Sequence, residues 1–247
     1  MKYFALTDVG MVRELNEDTY LVKEYGDATL FAVFDGMGGA KAGEMASAMA
    51  RDEVEKYFDG FFASYSKTEP AAIQAALASA ADRANFKVYS LAKSNSEYEG
   101  MGTTMVAALY ISDKVYVAHV GDSRAYLIDK DGAYQITRDH SFVQYLVDIG
   151  KLTPEEAKTS TQKNIITRAV GVDKEVSVDV SVLEQKQYKN RTLLLCSDGL
   201  SNYVGAGMLC DLCKTYKTPE ELCKVLVATA NDAGGHDNIT AVVAKLK

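Results

Sequence analysis

The chain has 247 residues, 27 basic against 34 acidic side chains, and a net charge of −7. This acidic balance excludes a basic nucleic-acid-binding protein as the default, so we expect no nucleic-acid partner. The longest apolar run, residues 105–111, is far shorter than the roughly 18 residues that a membrane span requires. The N-terminus also lacks the apolar segment of a signal peptide. We therefore expect a cytoplasmic protein with no membrane insertion.

The sequence favours one domain, residues 1–247, because no proline- or serine-rich linker or internal repeat divides it. A chain of this length can bury about three quarters of its unfolded surface in a core. Its four cysteines are too few for a disulfide framework, and we expect free thiols.

The first third of the chain predicts three short strands followed by two long helices. β-branched and aromatic runs separated by turn residues predict strands over 3–9, 18–25 and 29–36. Apolar residues then recur at three- and four-residue spacing, which predicts a helix from Ala40 to about Tyr65. A second Ala-rich helix is predicted from Pro70 to about Ala92, with the proline at its first position.

The rest of the chain predicts a block of antiparallel strands, a flap and a second group of strands and helices. The flap, about residues 139–170, has two short predicted helices, the second with Thr153 as N-cap. The grouping of strands with strands and helices with helices indicates an α+β fold. The predicted strands are 103–111, 114–120, 124–137 with its Asp131-Gly132 turn, 176–183, 192–197 and 239–246, and the later helices are Ala206–Thr215 and Pro219–Asp232.

Aspartates lie at the ends of four apolar strands. Asp35-Gly36, Asp122 and Asp198-Gly199 follow strands, and Asp237 directly precedes one. A single Asp-Gly pair is typical of a turn, but buried carboxylates in this number require compensating cations. Oxygen ligands suit Mg²⁺ or Mn²⁺, and the carbonyl of Gly36 is a further candidate ligand.

Other sites fit the sequence less well. The glycine-rich residues 35–44 lack the ending of a phosphate-binding loop. A zinc site would need more than Cys210-x-x-Cys213, which falls within a predicted helix.

Eight short blocks occur in an order that resembles the metal-dependent serine/threonine protein phosphatases of the PPM group, protein phosphatase type 2C, in their compact bacterial form. Each block alone is a weak signal, whereas eight in order are specific. The blocks are TDVGMVRELNED at 7–18, FAVFDGMGG at 31–39, GTT at 102–104, VAHVGDSRAY at 118–126, TRDHS at 137–141, NIITRAVG at 164–171, LLLCSDGL at 193–200 and DNITAVV at 237–243.

This resemblance implies a β-sandwich of two antiparallel sheets flanked by antiparallel helix pairs, in four layers, with metals at one end. It implies a phosphoprotein phosphatase, dependent on Mn²⁺ or Mg²⁺, that hydrolyses phosphoserine and phosphothreonine and reverses Ser/Thr kinase signalling. The expected partners are phosphorylated proteins, a Ser/Thr kinase among them, and we expect a monomer.

The same resemblance implies a role for each strand-end carboxylate. Asp35 would bridge two core ions, and Asp122 would help to hold a third, weaker one. Of the acidic pair Glu17-Asp18, we expect Asp18 to be the closer contributor. The implied metal ligands are Asp18, Asp35, Gly36, Asp122, Asp198 and Asp237.

The implied chemistry follows from these residue types. Two divalent cations lower the pKa of a bridging water that attacks phosphorus, without a covalent enzyme intermediate. Arg13 matches the family's phosphate clamp, because its planar guanidinium can grip two phosphate oxygens. Arg13 and Asp35 are thus the predicted catalytic residues.

The sequence departs from the family where a general acid would be sought. Many members have a histidine within or just after the Asp-Gly block, but this chain has Met37 and Ala40 there. A metal-bound water or His140 are the alternatives for proton delivery, although a histidine at a strand end is more often structural. Ser160-Thr161 also replace a usual His-Pro pair in the flap.

Two other classes of function remain open on the sequence. A catalytically silent relative would bind a signalling partner through the same surface, as the lost histidines would suggest. A structural calcium domain would bind metal without hydrolysis, but the chain lacks a regular calcium-loop motif.

Overall fold

The fold is that of a computed structural model, which describes residues 1–39, 41–64 and 69–246. The predicted helix start at Ala40, the predicted helix end at Tyr65 and the predicted domain end at Lys247 lie outside the described residues. Within the described ranges, the helices are too short or too polar to cross a membrane.

Eleven strands are described, and most lie where the alternating and apolar runs predict them. The block 124–137 divides into two strands around its turn, and the strand predicted at 176–183 begins only at Asp179. In chain order the strands are β1 (Lys2–Asp8), β2 (Asp18–Tyr25), β3 (Ala28–Met37), β4 (Gly102–Thr103), β5 (Met105–Ile111), β6 (Lys114–Val120), β7 (Arg124–Ile128), β8 (Ala133–Gln135), β9 (Asp179–Glu184), β10 (Thr192–Cys196) and β11 (Ile239–Lys245).

The helices begin at local signals that the sequence carries. Prolines occupy the first turn of three of them, where the missing N–H is not needed. Thr153 caps α4 as predicted, in a capping box with Glu156. The described helices are α1 (Ala42–Ser64), α2 (Pro70–Ser94), α3 (Phe142–Asp148), α4 (Pro154–Thr159), α5 (Gln185–Tyr188), α6 (Asp198–Ser201), α7 (Ala206–Thr215) and α8 (Pro219–Asp232).

The strands form two antiparallel sheets, which confirms the predicted α+β sandwich. One sheet has the order β1-β11-β10-β7-β8. The other has the order β2-β3-β5-β6-β9, with the short β4 paired to the end of β3. Every pairing is antiparallel, as expected for strands joined largely by hairpins and meanders.

Three apolar clusters, counted over the described residues, lie between four layers. Phe58 of α1 and Leu77 of α2 pack against the β2-β3-β5-β6-β9 sheet. Phe31 lies in the cluster between the two sheets, and Leu226 of α8 lies in the cluster over the other sheet. Burying each such side chain contributes roughly 1.5–3 kcal/mol, so the sandwich is a rigid support for residues at its edges.

One end of the sandwich gathers the strand ends that carry aspartates. β2 begins there and β3 ends there, and Asp18 lies directly opposite Asp35 in their register. From the other sheet, β10 ends and β11 begins at this end, with Cys196 paired to Ala241. The bridge of Ser141 with Ile166 connects the two ends of the flap, and the bridge of Thr103 with Val170 joins the flap to this end of the sandwich.

Candidate metal centre

Asp35 occupies the last part of β3 and is fixed through its backbone. Its N–H donates to Thr104 Oγ1 at 3.1 Å, and its carbonyl accepts from Thr104 N at 2.8 Å and Thr103 Oγ1 at 2.9 Å. Burial and the neighbouring carboxylates, Asp18 first, raise the pKa of Asp35 well above its usual value. The carboxylate is therefore held rigidly where a negative charge is costly without a cation.

Asp18 is held from behind by the opposite sheet. Its Oδ2 accepts hydrogen bonds from Ser197 Oγ and Thr240 Oγ1, both at 2.7 Å. Burial raises the pKa of Asp18 to about 7, although hydrogen bonds from the two hydroxyl groups act to lower it. These contacts join the first strand of one sheet to two strand ends of the other.

Glu17 lies on the cavity side of the same segment. It lines a cavity of about 470 Å³, whose lining residues include Asp35 but not Asp18. Its Oε1 is buried and has no hydrogen-bond partner among the described residues. This oxygen lies so close to Gly43 that a Cβ there would be 2.4 Å from it. An orphaned, buried carboxylate oxygen is a position that a bound cation would satisfy.

Asp122 sits in the turn between β6 and β7 and is also buried. Burial, and after it the charge of Asp198, raise the pKa of Asp122 to about 8. The next residue, Ser123, exchanges a 2.7 Å hydrogen bond with Thr104 Oγ1. Because Thr104 also holds Asp35, one hydroxyl ties the two ligand-bearing segments together.

Asp198 and Asp237 come from the other sheet. Asp198 opens the short helix α6, where Asn202 donates to its Oδ2 at 3.0 Å. Burial and the charge of Asp237 raise the pKa of Asp198 to about 6. Asp237 Oδ1 accepts from the Asn238 amide at 2.9 Å, which holds its carboxylate at the start of β11.

Arg13 lies at the mouth of the cavity, 46% exposed. Its Nη2 donates to Asp237 Oδ2 at 3.0 Å, and its Nη1 lies 3.7 Å from Glu17 Oε2. The guanidinium thus lies beside the carboxylates of Asp237 and Glu17 with part of its hydrogen-bonding edge open to solvent.

Asn238 is a supporting residue that sequence reasoning did not single out. Its Nδ2 donates to the carbonyls of Val9 and Leu15, each at 2.9 Å, and its Oδ1 accepts from the Glu17 amide at 2.8 Å. It therefore shapes the loop that carries Arg13. The Asp237-Asn238 pair before the last strand is visible in the sequence, but the residues that Asn238 contacts lie more than 200 positions away.

Among the described residues, no imidazole lines the cavity, either at the position where many family members have a histidine or from His140. Met37 lines the cavity but has no ionisable proton, and Ala40 lies outside the described residues. The ring of His140 is buried, with Nδ1 accepting from the Gly121 amide at 3.1 Å and Nε2 at 3.2 Å from Asp179 Oδ2. Its hydrogen bonds are structural, as expected for most histidines at strand ends.

A second group of candidate metal ligands lies apart from the strand-end aspartates. One ligand atom each from His119, His140 and Asp179 falls within 4.8 Å of the others. However, Arg168 Nη1 lies 3.2 Å from His140 Nε2 and donates to Asp179 Oδ1 at 3.1 Å. This guanidinium already supplies positive charge to Asp179, so the group is better described as an exposed Arg168–Asp179 ion pair beside two buried histidines.

The donor set around the cavity fits a hard divalent cation. It consists of carboxylate oxygens together with the main chain of Gly36, where a Cβ would lie 2.1 Å from the Gly43 carbonyl. Such oxygen donors are the ones that Mg²⁺ and Mn²⁺ prefer. The six predicted ligands all lie at this end of the sandwich, and Glu17 lines the cavity beside them.

Comparison with known proteins gives one consistent family. Residues 12–243 match the family described as protein phosphatase 2C. The chain is 38% identical over 238 residues to the serine/threonine phosphatase stp of Listeria innocua, covering 96% of this chain and 92% of that protein. It is 36% identical over 261 residues to the protein phosphatase PhpP of Streptococcus pneumoniae, covering 100% and 98%.

Solved structures show the same relationship. The serine/threonine phosphatase Stp1 from Staphylococcus aureus superposes with a TM-score of 0.91 at 39% identity, covering 100% of this chain and 96% of that one. The similarity therefore extends over both sheets and the flap, beyond the short blocks at the strand ends.

Proposed function

This chain belongs to the protein phosphatase 2C family and is a serine/threonine protein phosphatase, and we propose that its strand-end carboxylates hold the divalent ions that the family implies. Asp35, the Gly36 carbonyl, Asp198 and Asp237 would hold two core ions, Mn²⁺ or Mg²⁺. Asp122 would hold a third, weaker ion. Asp18 and Glu17 would complete the shell, and the orphaned Oε1 favours Glu17 as a direct contributor.

The observation that carries this proposal is the meeting of acidic residues from both sheets in one cavity. Asp35 lies at the end of a strand of one sheet, Asp122 lies in the turn that connects the two sheets, and Asp198 and Asp237 adjoin strands of the other. Burial raises the pKa of the first three, so their ionised forms need nearby positive charge. The only cation of the described residues that lines this cavity is Arg13, which is too little to balance four carboxylates.

When bound, divalent ions lower the pKa of a coordinated water and neutralise charge that develops on the phosphoryl oxygens. The chain's own residues position the phosphate and the segments that carry the proposed metal ligands. Arg13 would bind the phosphate through its open guanidinium edge and orient phosphorus above Asp35. Thr104 and Asn238 keep the ligand-bearing segments still, because each bridges two of them. Among the described residues the cavity wall carries no cysteine or histidine, which argues against a phosphocysteine or phosphohistidine intermediate.

We further propose that the natural substrates are phosphoserine and phosphothreonine proteins, a Ser/Thr kinase among them. The open, polar cavity suits a phosphorylated side chain presented from a protein surface. We propose a cytoplasmic monomer acting as one catalytic domain, and gel filtration with light scattering would test the oligomeric state.

The test is hydrolysis of p-nitrophenyl phosphate and of a phosphothreonine peptide, with EDTA and with added Mn²⁺ or Mg²⁺. The Asp35→Asn variant keeps the shape of the side chain and removes its charge, and we expect at least about a hundredfold loss of kcat. Asp82→Asn on the exposed side of α2 is the matched control and should match the parent.

Two results would overturn the mechanism. Turnover that EDTA leaves intact would exclude the metal-dependent reaction. Mn²⁺ binding without turnover would favour the catalytically silent alternative, in which the same surface binds a signalling partner.

A further inference from the structure

The turn that carries Asp122 is clamped on two sides. On one side, Thr104 bonds to Ser123, and a Cβ at Gly121 would lie 2.7 Å from the Thr104 methyl group. On the other side, His140 and Gly121 exchange two hydrogen bonds. The His140 amide donates to the Gly121 carbonyl at 2.9 Å, and the Gly121 amide donates to His140 Nδ1 at 3.1 Å.

The imidazole of His140 is itself held in one orientation and one tautomer. Because Nδ1 accepts a hydrogen bond, the neutral ring carries its proton on Nε2, which donates to Asp179 Oδ2 at 3.2 Å. The ring stacks on His119 with centroids 4.5 Å apart. Asp179 is placed by its pairing opposite His119, between β6 and β9, and is bound on its other oxygen by Arg168.

The same unit reaches into the flap. The carbonyl of His140 accepts from the Thr167 amide at 2.8 Å, one residue before Arg168. The unit thus joins a strand pair, the end of the flap and the Asp122 turn, and we call these residues the His140 clamp: His119, His140, Arg168 and Asp179.

We propose that His140 is a positioning residue that sets the Asp122 carboxylate for its metal ion through the Gly121 amide. The inference rests on the proposed function, since it takes Asp122 as a metal ligand. Thr104 holds the turn jointly with Asp35, so its loss would disturb the core ions as well. The His140 contact reaches only the Asp122 side, so its loss should weaken one ion selectively.

Two variants separate the hydrogen bond from the bulk of the ring. His140→Phe keeps a ring that can stack on His119 but has no acceptor for the Gly121 amide. His140→Asn places Oδ1 close to the position of Nδ1 and can accept that amide. If His140 acts only by filling space, His140→Phe should disturb the turn less than His140→Asn does. If it acts through the hydrogen bond, His140→Asn should disturb the turn less.

The first measurement is hydrogen exchange of the metal-free protein, read on peptides that cover residues 118–123. We expect parental protection of the Gly121 amide in His140→Asn and exchange at least about tenfold faster in His140→Phe. This readout depends on neither a bound ion nor turnover, so it tests the clamp even if the proposed function fails.

The second measurement is Mn²⁺ binding by calorimetry and electron paramagnetic resonance, with Asp122→Asn defining which binding depends on Asp122. Loss of a residue that orients a metal ligand typically weakens affinity by about 10- to 100-fold. We expect a loss in that range for His140→Phe at the Asp122-dependent site alone, and near-parental affinity for His140→Asn.

Parental Mn²⁺ affinity or parental exchange in His140→Phe would overturn the inference. Equal weakening of every ion would also overturn it, because that result indicates general damage. If Asp122→Asn binds Mn²⁺ as the parent does, His140 has no ligand to position. A parent that binds no Mn²⁺ at all refutes the proposed metal centre, and the exchange data then show whether the clamp itself exists.

Discussion

Replacing Gly36 with alanine is expected to displace the metal centre, because the added methyl group has no room. A Cβ at this position would lie 2.1 Å from the Gly43 carbonyl oxygen and 2.6 Å from the Glu17 carbonyl oxygen. Both obstacles are backbone atoms, which cannot rotate away as a side chain can. Since real Cβ contacts are essentially never under 3.0 Å, β3 and the start of α1 must separate by about 0.9 Å.

That displacement acts on the residues that would bind the ions. Gly36 follows Asp35 directly, and its amide donates to the Glu17 carbonyl at 3.1 Å. Overpacking of this kind costs about 1–3 kcal/mol of stability. A shift of about 1 Å in a catalytic arrangement can cost about a hundredfold in rate. We therefore expect Gly36→Ala to melt at least about 2 °C lower and to lose about a hundredfold in kcat.

The assay is steady-state hydrolysis of p-nitrophenyl phosphate across a Mn²⁺ titration, beside thermal unfolding followed by circular dichroism. Gly60→Ala is the matched control, since the site lies inside α1 and, among the described residues, no atom beyond the neighbouring helix backbone lies within 4 Å of the added Cβ. It should keep parental activity and gain about 0.5–1 kcal/mol of stability. A folded Gly36→Ala protein with parental kcat and Mn²⁺ dependence would refute this reasoning.

Two further predictions concern the phosphate and the metal ions. Arg13→Lys keeps the charge but loses the planar guanidinium, so KM for a phosphothreonine peptide should rise by about tenfold. The control Arg83→Lys on α2 should leave this KM unchanged. Equal KM values for Arg13→Lys and the parent would exclude the phosphate role of Arg13. Mn²⁺ at about 100 times its Kd should add about 2.7 kcal/mol, or roughly 5–11 °C in Tm. At a fixed Mn²⁺ concentration the gain should grow from pH 6 to pH 8, because Asp198, Asp18 and Asp122, with pKa values raised to about 6, 7 and 8, bind protons in competition with the metal.

The sign of the pH effect in the metal-free protein follows from the same carboxyls. Their folded-state pKa values exceed the ordinary value of 3.8, so the folded protein keeps protons that the unfolded chain has released. Its stability should therefore fall as the pH rises from about 4 to about 8. Thermal melts in EDTA across this range provide the check, and a metal-free Tm that rises with pH would contradict the burial of these groups.

Local sequence signals were sufficient for most of the secondary structure. Pro70, Thr153 and Pro219 mark helix starts through backbone geometry and capping, which involve only neighbouring residues. The α+β class followed from the grouping of strands and helices. The short elements β4, α5 and α6 were missed, because segments of two to four residues carry too little periodicity to be recognised.

The sequence by itself also placed aspartates at strand ends, and the ordered blocks indicated their family. It left the choice between Glu17 and Asp18 to a guess, because adjacent residues of a strand point in opposite directions. Contacts with the other sheet distinguish the two residues. Ser197 and Thr240, far along the chain, donate hydrogen bonds to one oxygen of Asp18, while Glu17 faces the cavity.

The sequence likewise left open what His140 contacts, and the tertiary structure shows its partners. A histidine beside a strand end could face the cavity or the core, and no local pattern distinguishes the two. Folding brings it against Gly121 from one strand end and Asp179 from another strand. Residue type and spacing thus determined which groups were available for chemistry, whereas tertiary packing, through contacts from 19 to 222 residues apart, decided which of them meet.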